Sequence, residues 1–165
     1  MIIIYDLDRT SLYCPIADWM DRFIPKNKTL KKLYYKLYPF IHILEMRLGL
    51  LQINENMYIR SKQFEELDTV KQVVVTARHY SKSIDLHAKA VFKDVSLYII
   101  CVAQGLTGLT KADVVEKLPM DEDEEIVMYD DNFQELSLMN ARFSGRFTGI
   151  QVMFRDNKEE TSHVY

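Results

Sequence analysis

Short apolar runs rich in β-branched residues recur along the chain and predict its strands. These runs lie at residues 2–5, 73–75, 95–102 and 126–129, and a fifth, at 150–154, follows Gly149. The runs are continuous instead of alternating with polar residues, a pattern typical of strands that are buried on both faces. We therefore expect a parallel sheet that is covered by helices on both sides.

Segments with helical periodicity separate these runs. They span residues 79–92, 111–118 and 132–141, and Thr110 is suited to cap the second of them. The alternation of strands and helices indicates an open α/β fold. We expect a Rossmann-like three-layer core with a mostly parallel sheet of about five strands.

A long stretch from residue 14 to residue 67 is predicted to be a helical insertion. Leucine or isoleucine recurs at steps of three and four, at positions 30, 33, 37, 41, 44, 48 and 51, which predicts one buried helical face. Pro39 is expected to kink or split this helix. We therefore divide the chain into an α/β core (1–13 and 68–155), a small helical cap (14–67) and a loosely held polar tail (156–165).

The composition excludes several classes of protein. With 165 residues, of which 48% are hydrophobic and 27% charged, the chain can bury a core and is not disordered as a whole. The net charge of −3 offers no global basic field, so any contact with nucleic acid must be local. The two cysteines, Cys14 and Cys101, are too few for a disulfide framework and predict free thiols in the cytoplasm. No signal peptide or membrane-spanning segment is predicted.

Two carboxylates follow the first predicted strand and are the first candidates for a functional site. Asp6 and Asp8 stand two residues apart at what we expect to be the carboxyl edge of the sheet, where open α/β folds bind ligands. One of such a pair can act as a nucleophile or metal ligand while the other manages protons. Taken alone, the pair is equally well explained as two solvated carboxylates in a turn.

Three further predicted segments bring polar residues to the same edge. Thr76 follows the second strand, Lys111 begins a helix after the third, and Asp130 and Asp131 end the fourth. Carboxylate oxygens suit Mg²⁺, which typically takes one or two carboxylates together with waters and substrate phosphate. A hydroxyl and an ammonium group would supply the hydrogen bonds and charge that a phosphoryl group needs during transfer.

The four segments resemble, in order, the four motifs of the haloacid dehalogenase superfamily, whose members are mostly Mg²⁺-dependent phosphatases with an aspartate nucleophile. The matching residues are Asp6-Leu-Asp8-Arg-Thr10, then Thr76, Lys111 and the pair Asp130-Asp131. In the fourth motif, Asp131 aligns with the metal position and Glu135 with a supporting position, and Asp130 stands where glycine is usual. The resemblance covers residues 2 to about 139, and the insertion at 14–67 lies where many members carry a mobile cap.

The resemblance implies a role for each matching residue. Asp6 would attack phosphorus and form an aspartyl-phosphate, and Asp8 would protonate the leaving oxygen and then activate water. Mg²⁺ would be held by Asp6, Asp131 and the backbone carbonyl of Asp8. Thr76 and Lys111 would bind the phosphoryl oxygens.

The predicted cap carries a basic and aromatic cluster that bears on substrate choice. Lys31, Lys32 and Lys36 lie close to Tyr34 and Tyr35, without an acidic residue between them. They could bind a nucleotide or a single-stranded nucleic-acid end, or form only the solvated side of an amphipathic helix. Binding of the same helix to a membrane surface is a third interpretation, which Glu45 and the kink at Pro39 make less favourable.

The sequence leaves the role of Arg78 open and gives no sign of a metal site at the histidines. Arg78 could clamp a substrate phosphate or base, or pair with a nearby acid. The four histidines show no metal-ligand spacing, and structural or solvated roles are expected for them.

These observations predict an Mg²⁺-dependent phosphomonoesterase that acts on a nucleotide or a nucleic-acid terminal phosphate. The first alternative is a phosphatase of a small phospho-metabolite of the phosphoserine kind. The second is a binding module for a phosphorylated ligand or nucleic acid that retains the fold without catalysis. We expect no stable membrane association.

Overall fold

The computed structural model describes residues 1–22, 28–155 and 158–164, and it describes no side chain at positions 21, 28, 32 or beyond 152. Its strands are β1 (Ile2–Tyr5), β2 (Leu12–Tyr13), β3 (Gln52–Ile53), β4 (Lys71–Thr76), β5 (Tyr98–Cys101), β6 (Ile126–Asp130), β7 (Phe147–Arg155) and β8 (Lys158–Val164). Its helices are α1 (Pro15–Asp21), α2 (Lys28–Arg47), α3 (Glu55–Glu65), α4 (Lys82–Phe92), α5 (Gln104–Thr107), α6 (Lys111–Val115) and α7 (Phe133–Arg142).

The predicted α/β architecture is confirmed. The main sheet has the strand order β5-β4-β1-β6-β7-β8, and its first five strands are parallel. The central strand β1 pairs on one side with β4, where Ile4 lies beside Val73, and on the other with β6, where Ile4 lies beside Met128. This is a Rossmann-like three-layer core, and all five predicted strands belong to it.

Alternate residues of the central strands pack into two separate apolar layers. Ile3 and Tyr5 face a cluster that includes residues of α3 and α4, whereas Ile2 and Ile4 face a second cluster with residues of α6 and α7. Because β1 is buried on both faces, it consists of three isoleucines and Tyr5, whose hydroxyl donates to Gln72 Oε1 at 2.8 Å within the core. The first charged residue, Asp6, follows directly after the strand ends.

Local capping explains where α6 and α7 begin. Thr110 and Asp113 form a reciprocal capping box at the start of α6, and Asn132 caps α7 by accepting the backbone N–H of Gln134. Helix α6 ends at Val115, three residues before the predicted end, and the chain continues to Leu118 in turns.

Helix α2 differs from its prediction in the face that it buries. The leucines predicted to form its buried face are exposed: Leu30 by 53%, Leu33 by 53%, Leu37 by 49%, Leu44 by 50% and Leu48 by 59%. The residues that it buries most completely are Tyr34, His42 and Glu45. Of the predicted face, Ile41 and Leu51 are partly buried against the core. The helix packs against α1 and α4 and is not split at Pro39.

Two additions to the sheet structure were not predicted, namely the small sheet of β2 and β3 and the edge strand β8. Strand β3 lies within the insertion and pairs antiparallel with β2. The polar tail contributes β8, which pairs antiparallel with β7 along its whole length, although we expected this segment to be loosely held. Strand pairing uses backbone N–H and C=O groups, so a polar edge strand can form without an apolar run. Among the described helices, none combines the length and the apolar character needed to cross a bilayer.

Candidate active site

The carboxyl ends of β1, β4 and β6 meet at one edge of the sheet and line a cavity of about 520 Å³. Asp6 and Asp8 enter it from β1, Ala77 from β4, and Asp130 and Asp131 from β6. The side of the cavity toward the cap is formed by Tyr13, Cys14, Ala17, Asp18 and Tyr38. The predicted convergence of polar residues at this edge is therefore present in the structure.

A buried ammonium group holds two of the carboxylates together. Lys111 Nζ lies 2.5 Å from Asp6 Oδ1 and 2.6 Å from Asp130 Oδ2, and all three residues are buried. Thr10 Oγ1 donates to the other oxygen of Asp6 at 3.3 Å, and the backbone N–H of Asn132 donates to Asp130 Oδ1 at 2.8 Å. These contacts fix the orientation of the Asp6 carboxylate at the floor of the cavity.

The carboxylates of Asp6, Asp130 and Asp131 together carry more negative charge than the single ammonium group of Lys111 can balance. Burial raises the pKa of Asp6 well above its usual value; the Lys111 ammonium opposes this shift, and the Asp130 and Asp131 carboxylates add to it. Burial, together with the charge of Asp130, raises the pKa of Asp131 to about 6. The paired carboxylates raise the pKa of Lys111 despite its burial, so it stays a cation. An additional positive charge would therefore be stabilised here.

The donor set fits a divalent cation that prefers oxygen ligands. One carboxylate oxygen from each of Asp6, Asp130 and Asp131 can be chosen so that all three lie within 4.8 Å of one another. Carboxylates without nitrogen or sulfur ligands suit Mg²⁺ or Ca²⁺ better than Zn²⁺. This group includes Asp130, for which the resemblance left open whether it or Glu135 supports the metal, and it does not include the side chain of Asp8.

Glu135 supports the site from behind. Its Oε2 accepts the backbone N–H of Lys111 at 3.2 Å, and its Oε1 accepts the Gln104 amide at 2.6 Å. Glu135 thereby connects the first residues of α5 and α6 to α7. Glu135 thus helps to position Lys111. Gln104 belongs to the site as well, although no sequence signal identified it.

Arg78 forms an ion pair with Asp8. Its Nε donates to Asp8 Oδ2 at 2.6 Å, and its second terminal nitrogen donates to Asp8 Oδ1, so the contact is bidentate. Although burial would raise it, the Arg78 guanidinium holds the pKa of Asp8 below its usual value. In this arrangement Asp8 is an ionised partner of Arg78, so the structure shows the second of the two roles that the sequence left open for Arg78.

Three further buried groups surround the Arg78 guanidinium. Arg78 lies 2.9 Å from His87 Nδ1 and 3.8 Å from Cys14 Sγ, and the His42 ring packs edge-on against the His87 ring with centroids 5.0 Å apart. By distance alone, Cys14, His42 and His87 could also hold a metal ion. The guanidinium already bonds two of these three residues, and its positive charge opposes a second cation there.

The buried histidines make a prediction about stability and pH. Burial, with the charge of Arg78, lowers the pKa of His42 to about 2 and that of His87 to about 4. An unfolded histidine has a pKa of about 6.5, so the unfolded chain takes up more protons than the folded chain as the pH falls below that value. We expect the free energy of unfolding to fall by about 2 kcal/mol for each of these imidazoles between pH 7 and pH 5.

Urea unfolding at pH 7 and pH 5 measures this change. In His42→Gln the loss of unfolding free energy between pH 7 and pH 5 is expected to be smaller by about 2 kcal/mol. This difference does not depend on how much the substitution destabilises the chain at pH 7. Glu45, on the same helix, and Arg78, Asp8 and His87, on the neighbouring elements, remain in the variant. A pH dependence equal to that of the wild type would show that His42 is not buried neutral.

The other predicted site residues have different positions. Thr76 ends β4 and is fully buried, and its hydroxyl accepts the backbone N–H of Arg78 at 3.3 Å. Ala77, and not Thr76, lines the cavity. The loop after Asp8 turns at Arg9 with a φ of +57°, a left-handed conformation that favours glycine.

The basic cluster of the cap is only partly described. Lys31 Nζ lies 5.8 Å from the centre of the Tyr35 ring, and Lys36 is exposed. The side chain of Lys32 lies outside the described part of the structure. Tyr35 reaches the core, where it packs so closely on Gly105 of α5 that a β-carbon there would collide with the phenol ring.

A second cavity of about 350 Å³ adjoins the first. The two share Asp8, Tyr38, Ala77 and Gln104. The second cavity is further lined by Tyr35, Pro39, His42, Arg78, His79, Ser81, Ser83 and Gly105. Asp8 therefore stands at the boundary between an anionic cavity and one with aromatic walls.

Comparison of the chain with protein-family models, curated proteins and solved structures finds no match.

Proposed function

We propose that this protein is an Mg²⁺-dependent phosphomonoesterase that acts through an aspartyl-phosphate on Asp6. The observation that supports this most directly is the buried Asp6 carboxylate, which is held by Lys111 and grouped with Asp130 and Asp131 at the carboxyl edge of the sheet. Phosphoryl transfer needs a positioned nucleophile and positive charge around it. Asp6 would be the nucleophile, Lys111 supplies one positive charge, and the grouped carboxylates would attract a cation.

The proposed reaction has two displacements at phosphorus. In the first, a carboxylate oxygen of Asp6 bonds to phosphorus while the ester bond breaks, and the departing oxygen takes a proton from Asp8. In the second, Asp8 takes a proton from water, the water oxygen bonds to phosphorus, and the bond to Asp6 breaks. Lys111 offsets negative charge beside Asp6 throughout.

The metal would be held by Asp6, by Asp131 and by the backbone carbonyl of Asp8, with Asp130 close by. When bound, Mg²⁺ offsets the charge of the phosphoryl oxygens and of the carboxylates around them. Thr10 orients Asp6 through the oxygen that Lys111 leaves open, and Glu135 keeps Lys111 in place.

The role of Asp8 requires that its pair with Arg78 opens. Asp8 can donate a proton only after it has gained one, and Arg78 opposes that by stabilising its charge. An anionic group on the substrate would compete for the guanidinium and release Asp8. Substrate binding would therefore switch Asp8 from ion pair to acid, and Arg78 would become a clamp for the substrate.

The second cavity favours a substrate with an aromatic organic part, such as a nucleotide or a terminal nucleotide of a nucleic acid. Tyr35, Tyr38 and His79 line it beside Asp8, where the departing oxygen would lie, and Lys31 is close to Tyr35. Aromatic rings of this kind stack on nucleobases. A small phosphoserine-like metabolite has no aromatic part that could stack on these rings.

A non-catalytic phospho-ligand binding module is the second candidate function. The Asp8–Arg78 pair favours it, because a protein that only binds would not need Asp8 to be free. Both candidates predict phosphate binding, but only the enzyme releases phosphate.

Release of inorganic phosphate tests the proposal. The purified chain is incubated with Mg²⁺ and a panel of nucleoside monophosphates, oligonucleotides with a 3′- or 5′-phosphate, phosphoserine and an aryl phosphate. We expect release that stops in excess chelator, with nucleotide substrates preferred. Binding without release from any member of the panel would favour the non-catalytic module.

Replacement of the two neighbouring acids at the end of β6, Asp130 and Asp131, is expected to have different effects. Asp131→Ala should raise the Mg²⁺ concentration for half-maximal activity by about tenfold or more, because it removes a proposed metal ligand that does not pair with Lys111. Asp130→Ala should mainly lower the temperature of unfolding, because it leaves Lys111 with one buried partner.

Mg²⁺ titrations and thermal unfolding of both variants measure the difference. Asp123→Ala, in the exposed acidic loop before β6, is the matched control. If the metal dependence moves in Asp130→Ala and not in Asp131→Ala, Asp130 is the metal ligand of the fourth motif.

A further inference from the structure

An apolar stripe runs along the exposed side of α2 and its C-terminal turn. It consists of Leu33, Leu37, Phe40, Leu44 and Leu48, which are exposed by 53%, 49%, 70%, 50% and 59%. Their spacing of four, three, four and four residues places them on one face of the helix. At about 1.5 Å per residue the stripe is roughly 22 Å long.

The charged residues beside this stripe are basic. Lys36 precedes Phe40 by four residues and Arg47 follows Leu44 by three, so each is a neighbour of the stripe on the helix surface, and both are exposed. Glu45, the only acid in the helix sequence, is fully buried and accepts the backbone N–H of Ile16 at 2.5 Å. No acidic side chain of α2 therefore borders the stripe.

We propose that this stripe binds reversibly to the surface of an anionic lipid bilayer. An apolar helix face with lysine and arginine at its border is the pattern of a helix that lies in the interface of a membrane, with its leucines below the headgroups and its cations among them. The helix does not cross the bilayer, and the proposal does not depend on the chemistry of the active site.

The charge of the helix favours an anionic surface over a second copy of this chain. Two copies packed through the stripe would bring the basic borders of both helices together, which costs free energy. An anionic bilayer would bury the apolar side chains of the stripe and pair its lysine and arginine with lipid headgroups.

The structure removes both features that made membrane binding less favourable from sequence. Glu45 points inward, where it binds the start of α1, so its charge is absent from the exposed face. Pro39 lies within a continuous helix and does not interrupt the stripe between Leu37 and Phe40.

Co-sedimentation with vesicles tests the proposal on the full chain. We expect binding to phosphatidylcholine vesicles that contain about one-third phosphatidylglycerol, and binding weaker by about tenfold or more to phosphatidylcholine alone. The triple variant Leu37→Gln, Phe40→Gln, Leu44→Gln should lose binding by about tenfold or more. A matched triple variant at exposed apolar positions elsewhere, Leu67→Gln, Tyr98→Gln, Leu138→Gln, should bind as the wild type does.

Two further measurements keep the result unambiguous. Trp19, the single tryptophan, lies on α1, which packs against α2, and its fluorescence reports binding independently of sedimentation. The double variant Lys36→Glu, Arg47→Glu leaves the apolar stripe intact and should also bind anionic vesicles more weakly, so it replaces the leucine variant if that one does not fold.

The proposal is overturned if the wild type does not bind anionic vesicles, or if the stripe and border variants bind as strongly as the wild type. It is also overturned if sedimentation velocity shows a dimer that the leucine variant abolishes, since the stripe would then be an interface between two copies. Phosphate release in solution is a separate measurement, so its loss does not bear on this result.

Discussion

Replacement of Asp6 by asparagine is expected to lower phosphate release by about 1000-fold or more. Asparagine has nearly the same shape and keeps an oxygen that can accept from Lys111, but it has no anionic oxygen to attack phosphorus. The variant should bind a phosphorylated substrate, because Lys111 and Arg78 remain. Substrate binding without turnover is therefore the expected signature.

Phosphate release and thermal unfolding of the same preparations check this prediction. Asp68→Asn is the matched control, because Asp68 is an exposed acid in the turn before β4 and the substitution makes the same chemical change. The control should keep full activity. Activity in Asp6→Asn comparable to that of the control would exclude Asp6 as the nucleophile and with it the aspartyl-phosphate.

Replacement of Lys111 by methionine is expected to destabilise the folded chain by about 3–5 kcal/mol at pH 7. Methionine fills much of the same volume, but the buried carboxylates of Asp6 and Asp130 then face each other without a cation between them. Removal of one partner of a buried ion pair is costly because the remaining charge has already lost its water. Activity should be lost as well.

The double variant Lys111→Met, Asp130→Asn tests this explanation. It removes the unpaired charge of Asp130 together with Lys111, and we expect it to recover part of the lost stability while remaining inactive. Lys82→Met, at the exposed first residue of α4, matches Lys111 at the first residue of α6 and should change stability by less than about 0.5 kcal/mol. Equal stability losses at Lys82 and Lys111 would mean that the Lys111 pairs contribute nothing.

The fold and the floor of the site were predictable from local sequence patterns. A strand that is buried on both faces requires a continuous apolar run, and that run ends where the chain can reach solvent again. In a parallel sheet all such ends lie at the same edge, so the pattern around Asp6, Lys111 and Asp130 was enough to predict that these side chains meet. The capping box at Thr110 is local in the same sense.

The face that α2 buries and the partner of Asp8 were decided only by the tertiary structure. A period of three and four residues indicates which leucines share a face, but not whether that face meets the core. In the fold, α2 buries Tyr34, His42 and Glu45, because His87 on α4 and the backbone N–H groups of α1 meet that side. Arg78 reaches Asp8 across 70 positions in the chain. Such contacts depend on how distant elements are brought together, and no periodicity within one element encodes them.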